Sequence, residues 1–322
     1  MPPLIVIPAV ARAAGAEREA WPALPALSEL LRLADSDPAD SDWRSGLLRD
    51  LGASTGRMPE AVIAAAALGV PAGRGVCLAA PVHAVAGLHR VHLHTDGVLE
   101  LAAEERAELV SGFAGQFGPE LELRGTGNQW LVVAECADAA DETDPVEWLG
   151  APLERRPASS PAQRLLRRLG AEVEMWLADL PLNARRRSRR QLPVNLLWMW
   201  GGGRVPAPDA MPAPAAMPLH GVAGDAWLAG CAALWGGTVS PLPVAWPAMG
   251  ASSGTVVLPA PPDAARLLWL ESDWFAPALA DLEAGRIESL RLRVGRRLHR
   301  VRSGRIRRLL RRRRPWWQVL DA

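Results

Sequence analysis

Apolar residues return along this chain with two different periods. Leu4-Ile5-Val6-Ile7 is a short continuous apolar run, the pattern of a strand buried on both faces. Leu24, Leu27, Leu30, Leu31 and Leu33 then fall close to helical spacing. Ala34 to Ser45 is polar and acidic and reads as a loop. Pro59 opens a second helix, Glu60–Leu68, which Gly69 ends. The texture changes at Val76–Ala80, a short apolar run. Val91-His92-Leu93-His94 alternates as a strand does, Asp96-Gly97 predicts a hairpin turn, and Val98–Leu101 would be the returning strand. Ala102–Phe117 reads as an amphipathic helix with Leu109, Val110, Phe113 and Phe117 on one face. Leu121–Arg124 and Trp130–Ala134 predict two strands turned by Gly125-Thr126-Gly127-Asn128. Arg164–Leu180 predicts a helix with Leu165, Leu169, Val173, Trp176, Leu177 and Leu180 inward.

The order β-β-α-β-β-α over residues 75–190 points to an α+β subdomain. Beyond it, Asn195–Trp200 reads as a strand and Ala226–Trp235 as a helix stopped by Gly236-Gly237. Thr255–Leu258 and Arg266–Leu270 are strand candidates, Trp274–Ala284 a helix closed by Gly285, and Ser289–Val294 a late strand. Val205–Pro218, rich in Ala and Pro, reads as a connection. The expected organisation is an α/β core formed by 1–74 and 191–304, an α+β insert at 75–190, and a tail at 305–322. Leu4–Ile7 and Asn195–Trp200 are expected in one largely parallel sheet.

Composition adds three constraints. Hydrophobic residues are 49% of 322, ample for packed cores. No apolar run reaches the ~20 residues of a membrane helix, and the N-terminus lacks a basic region before its short apolar run. Cys77, Cys136 and Cys231 are far apart and in apolar contexts, as reduced core residues of a cytoplasmic protein are. Tyrosine is absent, which removes one general acid and one nucleophile.

Charge is divided along the chain. Residues 1–150 carry −12 and residues 151–322 carry +13, within a net charge of +1. Every basic side chain is arginine, and Arg286–Arg314 holds 14 of them against Glu288 alone. Arg307, Arg308, Arg311, Arg312, Arg313 and Arg314, followed by Trp316 and Trp317, form a candidate surface for a polyanion or an anionic membrane. The competing expectation is that these arginines pair with acids of the N-terminal half.

The segment Pro193-Val194-Asn195-Leu196-Leu197-Trp198-Met199-Trp200-Gly201-Gly202-Gly203 carries a family resemblance. It resembles the Pro-Ala-Asn, aliphatic run, Arg-Gly-x-Gly segment of archaeal-type cofactor-independent phosphoglycerate mutases, of the alkaline-phosphatase superfamily. Trp200 stands where those enzymes have arginine. Leu24–Leu33, Glu105–Leu109 with Phe117-Gly118, and Gly221–Trp235 resemble further segments in the same order. The chain also resembles bacterial RpfE-type regulatory proteins at Ala80–His83, Val194–Gly203 and Asp281–Arg286. The resemblance implies an alkaline-phosphatase-like core sheet flanked by helices, interrupted by the α+β insert.

It also implies a two-metal centre of Asp and His ligands about 4 Å apart. This sequence departs from that pattern. The first ligand should follow the first strand, where Ile7-Pro8-Ala9-Val10 has no carboxylate. Ser54 and Thr55, near the expected nucleophile, lack the flanking Asp. No histidine lies between Gly236 and Val294 to partner Asp263, Asp273 or Asp281. No catalytic residue, metal or other cofactor is therefore expected, and a regulatory or interaction protein is the expected role. A metal-dependent phosphatase or mutase with a rearranged site is the first alternative. A polyanion or membrane-surface binder is the second.

The remaining ligand-binding candidates are few. Gly201, Gly202 and Gly203 can cradle an anion through backbone N–H groups, but no Lys, Ser or Thr follows, so close packing in a turn is expected. Trp198 and Trp200 share a strand face and can stack on a base or sugar, although core packing is the more common use of such a pair. Asn195 precedes them. His220 and Asp225 could pair for general-base work, but no nucleophile motif lies nearby and a plain loop histidine is expected. His83, His89, His92 and His94 are close in sequence, and a solvated strand face is expected there. His299 sits among arginines that disfavour its charged form.

Overall fold

In the computed structural model of the protein, the described residues are 2–8, 21–52, 58–87, 90–125, 127, 129–148, 152–153, 157–207, 218–222, 224–246, 254–259, 264–302, 311 and 314–320. The chain is mixed α/β and divides into two units: Met1–Ser54 with Pro218–Val222 and Val239–Ala322, and Thr55–Met217 with Ala223–Thr238.

The first unit is built on β1 (Leu4–Ile7), whose four residues are all buried. β1 pairs in parallel with β10 (Thr255–Val257) and with β11 (Ser289–Val294), and β10 pairs in parallel with β8 (Pro218–Gly221). β12 (Arg297–Arg302) returns antiparallel to β11 and carries β2 (Ala34–Ser36) on its outer edge. With β9 (Thr238–Pro241) beside β8, the sheet order is β2-β12-β11-β1-β10-β8-β9. Helix α1 (Pro25–Leu33) packs Leu27, Leu30 and Leu31 into a core that includes Leu270, Trp274 and Phe275. Its N-terminal N–H groups have no side-chain cap of their own. Glu271 supplies one, accepting from Ala26 at 2.5 Å and Leu27 at 3.1 Å. Burial raises the Glu271 carboxyl pKa against the opposing effect of those two bonds.

Arg266–Leu270, expected as a strand, is part of helix α8 (Ala264–Leu270). Leu267, Leu270 and Trp274 recur at helical spacing, and a short apolar run does not distinguish the two by itself. The helix continues through a π-turn, Glu271–Phe275, into α9 (Ala276–Glu283). The loop expected at 34–45 contains β2 and the start of α2 (Trp43–Asp50), whose N-cap is Asp42, accepting from the Ser45 N–H at 2.8 Å. Strand β12 was hidden in the arginine run: Leu298, His299 and Val301 are buried while Arg300 and Arg302 face water.

Arg293 on β11 is 0% exposed. Its Nε donates to Asp50 at 2.7 Å and its Nη1 lies 3.0 Å from Asp40. Gly46 of α2 makes room for it, since a Cβ there would overlap the guanidinium.

In the second unit β3 (Gly75–Ala86) is the central strand, buried over its first eight residues. One edge pairs antiparallel with β6 (Trp130–Val133) and then with β4 (Val91–Val98), and the other with β7 (Leu196–Arg204). β5 (Glu122–Arg124) completes the sheet against β6, as the turn signal between them predicted. The hairpin expected at Asp96-Gly97 does not form. β4 runs through Gly97, whose φ of +71° takes up an irregularity in the pairing, and Leu99 donates its N–H onward to Pro81 of β3. Asn195–Trp200, expected beside Leu4–Ile7, instead lies in β7 of this second sheet. Its partner is the apolar face of β3, which offers a ladder over seven residue pairs.

Helices α4 (Ala103–Phe117) and α5 (Pro161–Asp179) pack on this sheet and α6 (Pro181–Ser188) on both of them, while α3 (Glu60–Ala67) packs on β3 and β7 and also on α7 (Ala226–Trp235). On α5 the buried set is Leu166, Val173 and Leu177, and Leu165, expected inward, is 48% exposed. Val173, Leu177 and Leu180 are inward as expected, with Leu169 and Trp176 partly buried beside them, and only the first inward position differs, Leu166 in place of Leu165. Arg186 of α6 is buried and donates to Glu105 at 2.8 Å and to the Leu192 carbonyl at 2.7 Å.

Two predictions follow from the first unit. Arg293→Met removes the charge that compensates two nearly buried carboxylates, and breaking such a pair costs about 3–5 kcal/mol; urea unfolding measures it. His299, 0% exposed, lies 2.8 Å from Ser36 Oγ through its Nδ1. Burial first, then the charges of Arg297 and Arg293, hold its pKa down at about 4 instead of 6.5. As pH falls, the unfolded chain takes up this proton before the folded chain does. Stability is therefore complete above about pH 6.5 and falls by about 3 kcal/mol towards pH 4. His299→Leu should flatten that part of the stability–pH curve, and unfolding at stepped pH values compares the two.

Candidate ligand-binding cleft

Strand β7 pairs with β3 along one edge only, which leaves its other edge to be accounted for. Pro81 sets the phase. It has no N–H, and its carbonyl accepts from Leu99 at 2.8 Å on the far side of β3. Leu197, opposite Pro81, thus turns its own N–H and C=O away from β3, and so does Met199 two residues on. Gly201, next in this alternation, donates to the Glu142 carbonyl at 3.4 Å, and Gly202 to the Ala140 carbonyl at 2.8 Å. Among the described residues no backbone group pairs with Leu197 and Met199 on that outer edge.

A cleft opens at this place. It lies, partly open to solvent, between the Leu196–Met199 edge, the α5 face and residues 139–142. Gln163, Leu166, Arg167, Gly170 and Glu174 form the α5 wall at spacings of three and four, one stripe of the helix. Gly170 leaves that wall open over Met199: a Cβ there would stand 3.6 Å from the Met199 methyl. Among the described residues Asp141, Glu142, Glu174 and Arg167 are the charged groups that line the cleft. Trp198 closes the floor, 8% exposed, donating its indole N–H to the Thr143 carbonyl at 2.8 Å and lying 6.4 Å from the Trp148 ring.

Of the sequence candidates, Trp198 alone lines this cleft. Trp200 is 0% exposed in the core. Asn195 uses its amide on backbone, accepting from the Ala84 N–H at 2.7 Å and donating to the Ala84 carbonyl at 2.8 Å. It thereby bridges the irregularity in β3. Gly201, Gly202 and Gly203 do not form a turn. They continue β7, with Gly201 at φ +61°, and let neighbours approach. A Cβ on Gly202 would lie 2.7 Å from the Ala137 carbonyl, and one on Gly203 2.7 Å from the Pro59 ring. Packing was the right use for the glycines and a turn the wrong geometry.

His220 lies on β8 with its Nδ1 buried and without a hydrogen-bond partner among the described residues. Asp225 caps α7, accepting from Leu228 at 2.9 Å. His83 Nδ1 lies 2.8 Å from the Pro193 carbonyl and its ring 6.1 Å from His94, which takes the Asp96 N–H at 3.2 Å. Among the described residues no three His, Cys, Asp or Glu side chains gather as a metal-binding group. The three cysteines are free and buried.

The C-terminal candidates fall in the first unit. Arg311 donates to the carbonyls of Arg32 and Ala34 and lies 2.5 Å from Asp35. Trp316, 1% exposed, stacks on Trp21 at 4.8 Å and donates to the Pro22 carbonyl at 3.1 Å; it opens the short helix α10 (Trp316–Leu320). Trp317 meets Trp316 edge-on at 5.6 Å, and Arg314 is exposed. Arg307, Arg308, Arg312 and Arg313 lie outside the described residues, as do His89, Ser54, Thr55 and Asp263.

No protein-family model matches the chain, and no curated protein sequence matches it. Among solved structures, it is similar to a cofactor-independent phosphoglycerate mutase from Thermoplasma acidophilum. The two share 16% identity over 95% of this chain and 90% of that one, with a TM-score of 0.36. It is also similar to the PH0037 protein from Pyrococcus horikoshii, at 14% identity over 94% and 88%, with a TM-score of 0.44. At these values the likeness concerns the α/β arrangement and carries nothing about chemistry.

The packing role of the glycines is testable. Gly203→Ala places a methyl against Pro59 and Val62 and should cost about 1–3 kcal/mol. Urea unfolding measures that loss, and an unchanged midpoint would contradict it.

Proposed function

We propose that this chain is a non-catalytic regulatory or interaction protein on an α/β scaffold resembling that of the phosphoglycerate mutases. The observation that carries the reading is the chemistry at the carboxyl ends of the parallel strands, where open α/β sheets place their ligands. β1 ends in Ile7-Pro8, β10 runs into Leu258-Pro259, β8 into Val222, and β11 into Gly295-Arg296. Among the described residues of these strands and ends, no carboxylate occurs, and His220 is the imidazole they bring. Asp40, whose N–H meets the Arg296 carbonyl just beyond β11, is paired with Arg293.

The β11–β12 turn also occupies the strand ends. Gly295 donates its N–H to the Ile7 carbonyl at 2.8 Å, Asp40 donates its N–H to the Arg296 carbonyl at 2.8 Å, and Arg296 donates to the Ser41 carbonyl at 2.8 Å. This donor set does not fit a two-metal Asp and His centre, which needs several free carboxylates and imidazoles on one side of a sheet. The reading takes interaction as the function and the second unit's cleft as its site. It includes a reducing, cytoplasmic setting, which the three buried free cysteines support.

Purified protein, supplied with manganese or zinc, should retain no stoichiometric metal after gel filtration. It should interconvert phosphoglycerates, or hydrolyse a simple aryl phosphate, no faster than the buffer with metal alone. Stoichiometric metal together with chelator-sensitive turnover would overturn the proposal in favour of a rearranged metallophosphatase.

A further inference from the structure

We infer that the cleft beside β7 takes an extended, basic peptide segment of a partner protein, which adds to the sheet as a strand next to Leu196–Met199. The inference rests on the interaction reading above and names the partner chemistry of its site.

Three observations converge on it. The first is the pair of residues, Leu197 and Met199, that turn N–H and C=O outward from an edge strand. Buried or half-buried backbone groups of this kind are met by another backbone, and an extended peptide offers them at matching spacing. The second is shape. The edge is not open water but one side of a trough whose other side is α5, and Gly170 removes the side chain that would fill it over Met199. Apolar walls from Leu166, Leu196 and Met199 suit the alternate side chains of an added strand. The third is charge. Among the described lining residues Asp141, Glu142 and Glu174 stand with Arg167, so an incoming strand that alternates apolar and basic residues meets both apolar wall and acidic lining.

The segment at 140–142 already behaves as a partial strand of this kind. It meets the same edge further along, through the Glu142 and Ala140 carbonyls that accept from Gly201 and Gly202. The proposed peptide continues that row of contacts into the stretch where the chain supplies none among its described residues.

The test uses the full-length protein and a blocked Val-Arg-Val-Arg-Val peptide, followed by calorimetry. Saturable one-to-one binding is expected, weakened at least about tenfold in Val-Glu-Val-Glu-Val. It should weaken at least about tenfold again when alternate backbone nitrogens of the arginine peptide are methylated, because methylation deletes the ladder donors. Gly170→Leu, which fills the trough, should abolish binding with no loss of thermal stability, since leucine favours a helix more than glycine does. Equal affinity for the methylated peptide would overturn the proposal, showing only charge attraction. So would binding unaffected by Gly170→Leu, or no saturable binding at all. Self-association of the protein that Gly170→Leu abolishes, without peptide binding, would assign the edge to a second copy of this chain and end the inference. The methylated-peptide arm uses the unmodified protein, so it decides even if the variant fails to fold. Failure of all arms leaves the turnover and metal measurements, which bear on the broader reading, untouched.

Discussion

A charge taken out of water has to be met by opposite charge and hydrogen bonds, and both units of this chain are organised around an arginine so met. In the first, Arg293 lies fully buried between Asp40 and Asp50, which fixes α2 and the segment before it against β11. In the second, Arg186 gathers Glu105, at the start of α4, and the carbonyl of Leu192, on the approach to β7. A single guanidinium presents five donors in a planar fork, so it can hold two chain segments at once where an ammonium would hold a point. A chain with arginine as its sole cationic side chain besides histidine can therefore use charge as internal framework. Such pairs are costly to desolvate. What they supply is a unique arrangement of the segments they join more than net stability.

That framework also explains the division of charge along the sequence. The acidic first half and basic second half meet inside the first unit, where Arg300 lies 2.8 Å from Asp37 and Arg311 2.5 Å from Asp35. Arg291 donates to the Asp50 carbonyl at 3.0 Å. The β11–β12 hairpin lies in the basic part of the sequence and β2 in the acidic part, and their pairing sets the two rows of charge opposite each other. The arginine run thus encodes a strand of the sheet as much as a field.

Elements with an unambiguous period were readable from the sequence. Leu4–Ile7, Ala226–Trp235 and Ser289–Val294 have the bounds expected for them, the helix stopping at Gly236. Short apolar runs were not readable. Arg266–Leu270 fits a strand or a helix, and only burial of Leu267 and Leu270 on one helical face decides it. Asp96-Gly97 has turn chemistry, but β3 offers a longer ladder than a hairpin would, and the positive φ of Gly97 serves an irregularity within one strand. Strand pairing at long range is set by which sheet completes which core, and no local pattern in Asn195–Trp200 says that its partner is Gly75–Val82.

The candidate site was legible in one residue and hidden in the rest for the same reason. Trp198 could be singled out because a tryptophan in a strand next to glycines is conspicuous. The cleft depends on something no residue type announces, a stretch of strand edge with no backbone partner among the described residues, which exists only once the pairing of β7 is known. Its far wall had a faint signal in Gly170, a glycine inside a long amphipathic helix where it costs stability relative to alanine. Glycines at 201, 202 and 203 are explained by backbone and side chains that press on them. Gly170 has no such pressure, with nothing nearer to its missing Cβ than 3.6 Å. The close-packed glycines are required by the fold itself, whereas the one in the helix wall gains its meaning from its place beside the stretch of β7 edge that has no backbone partner among the described residues.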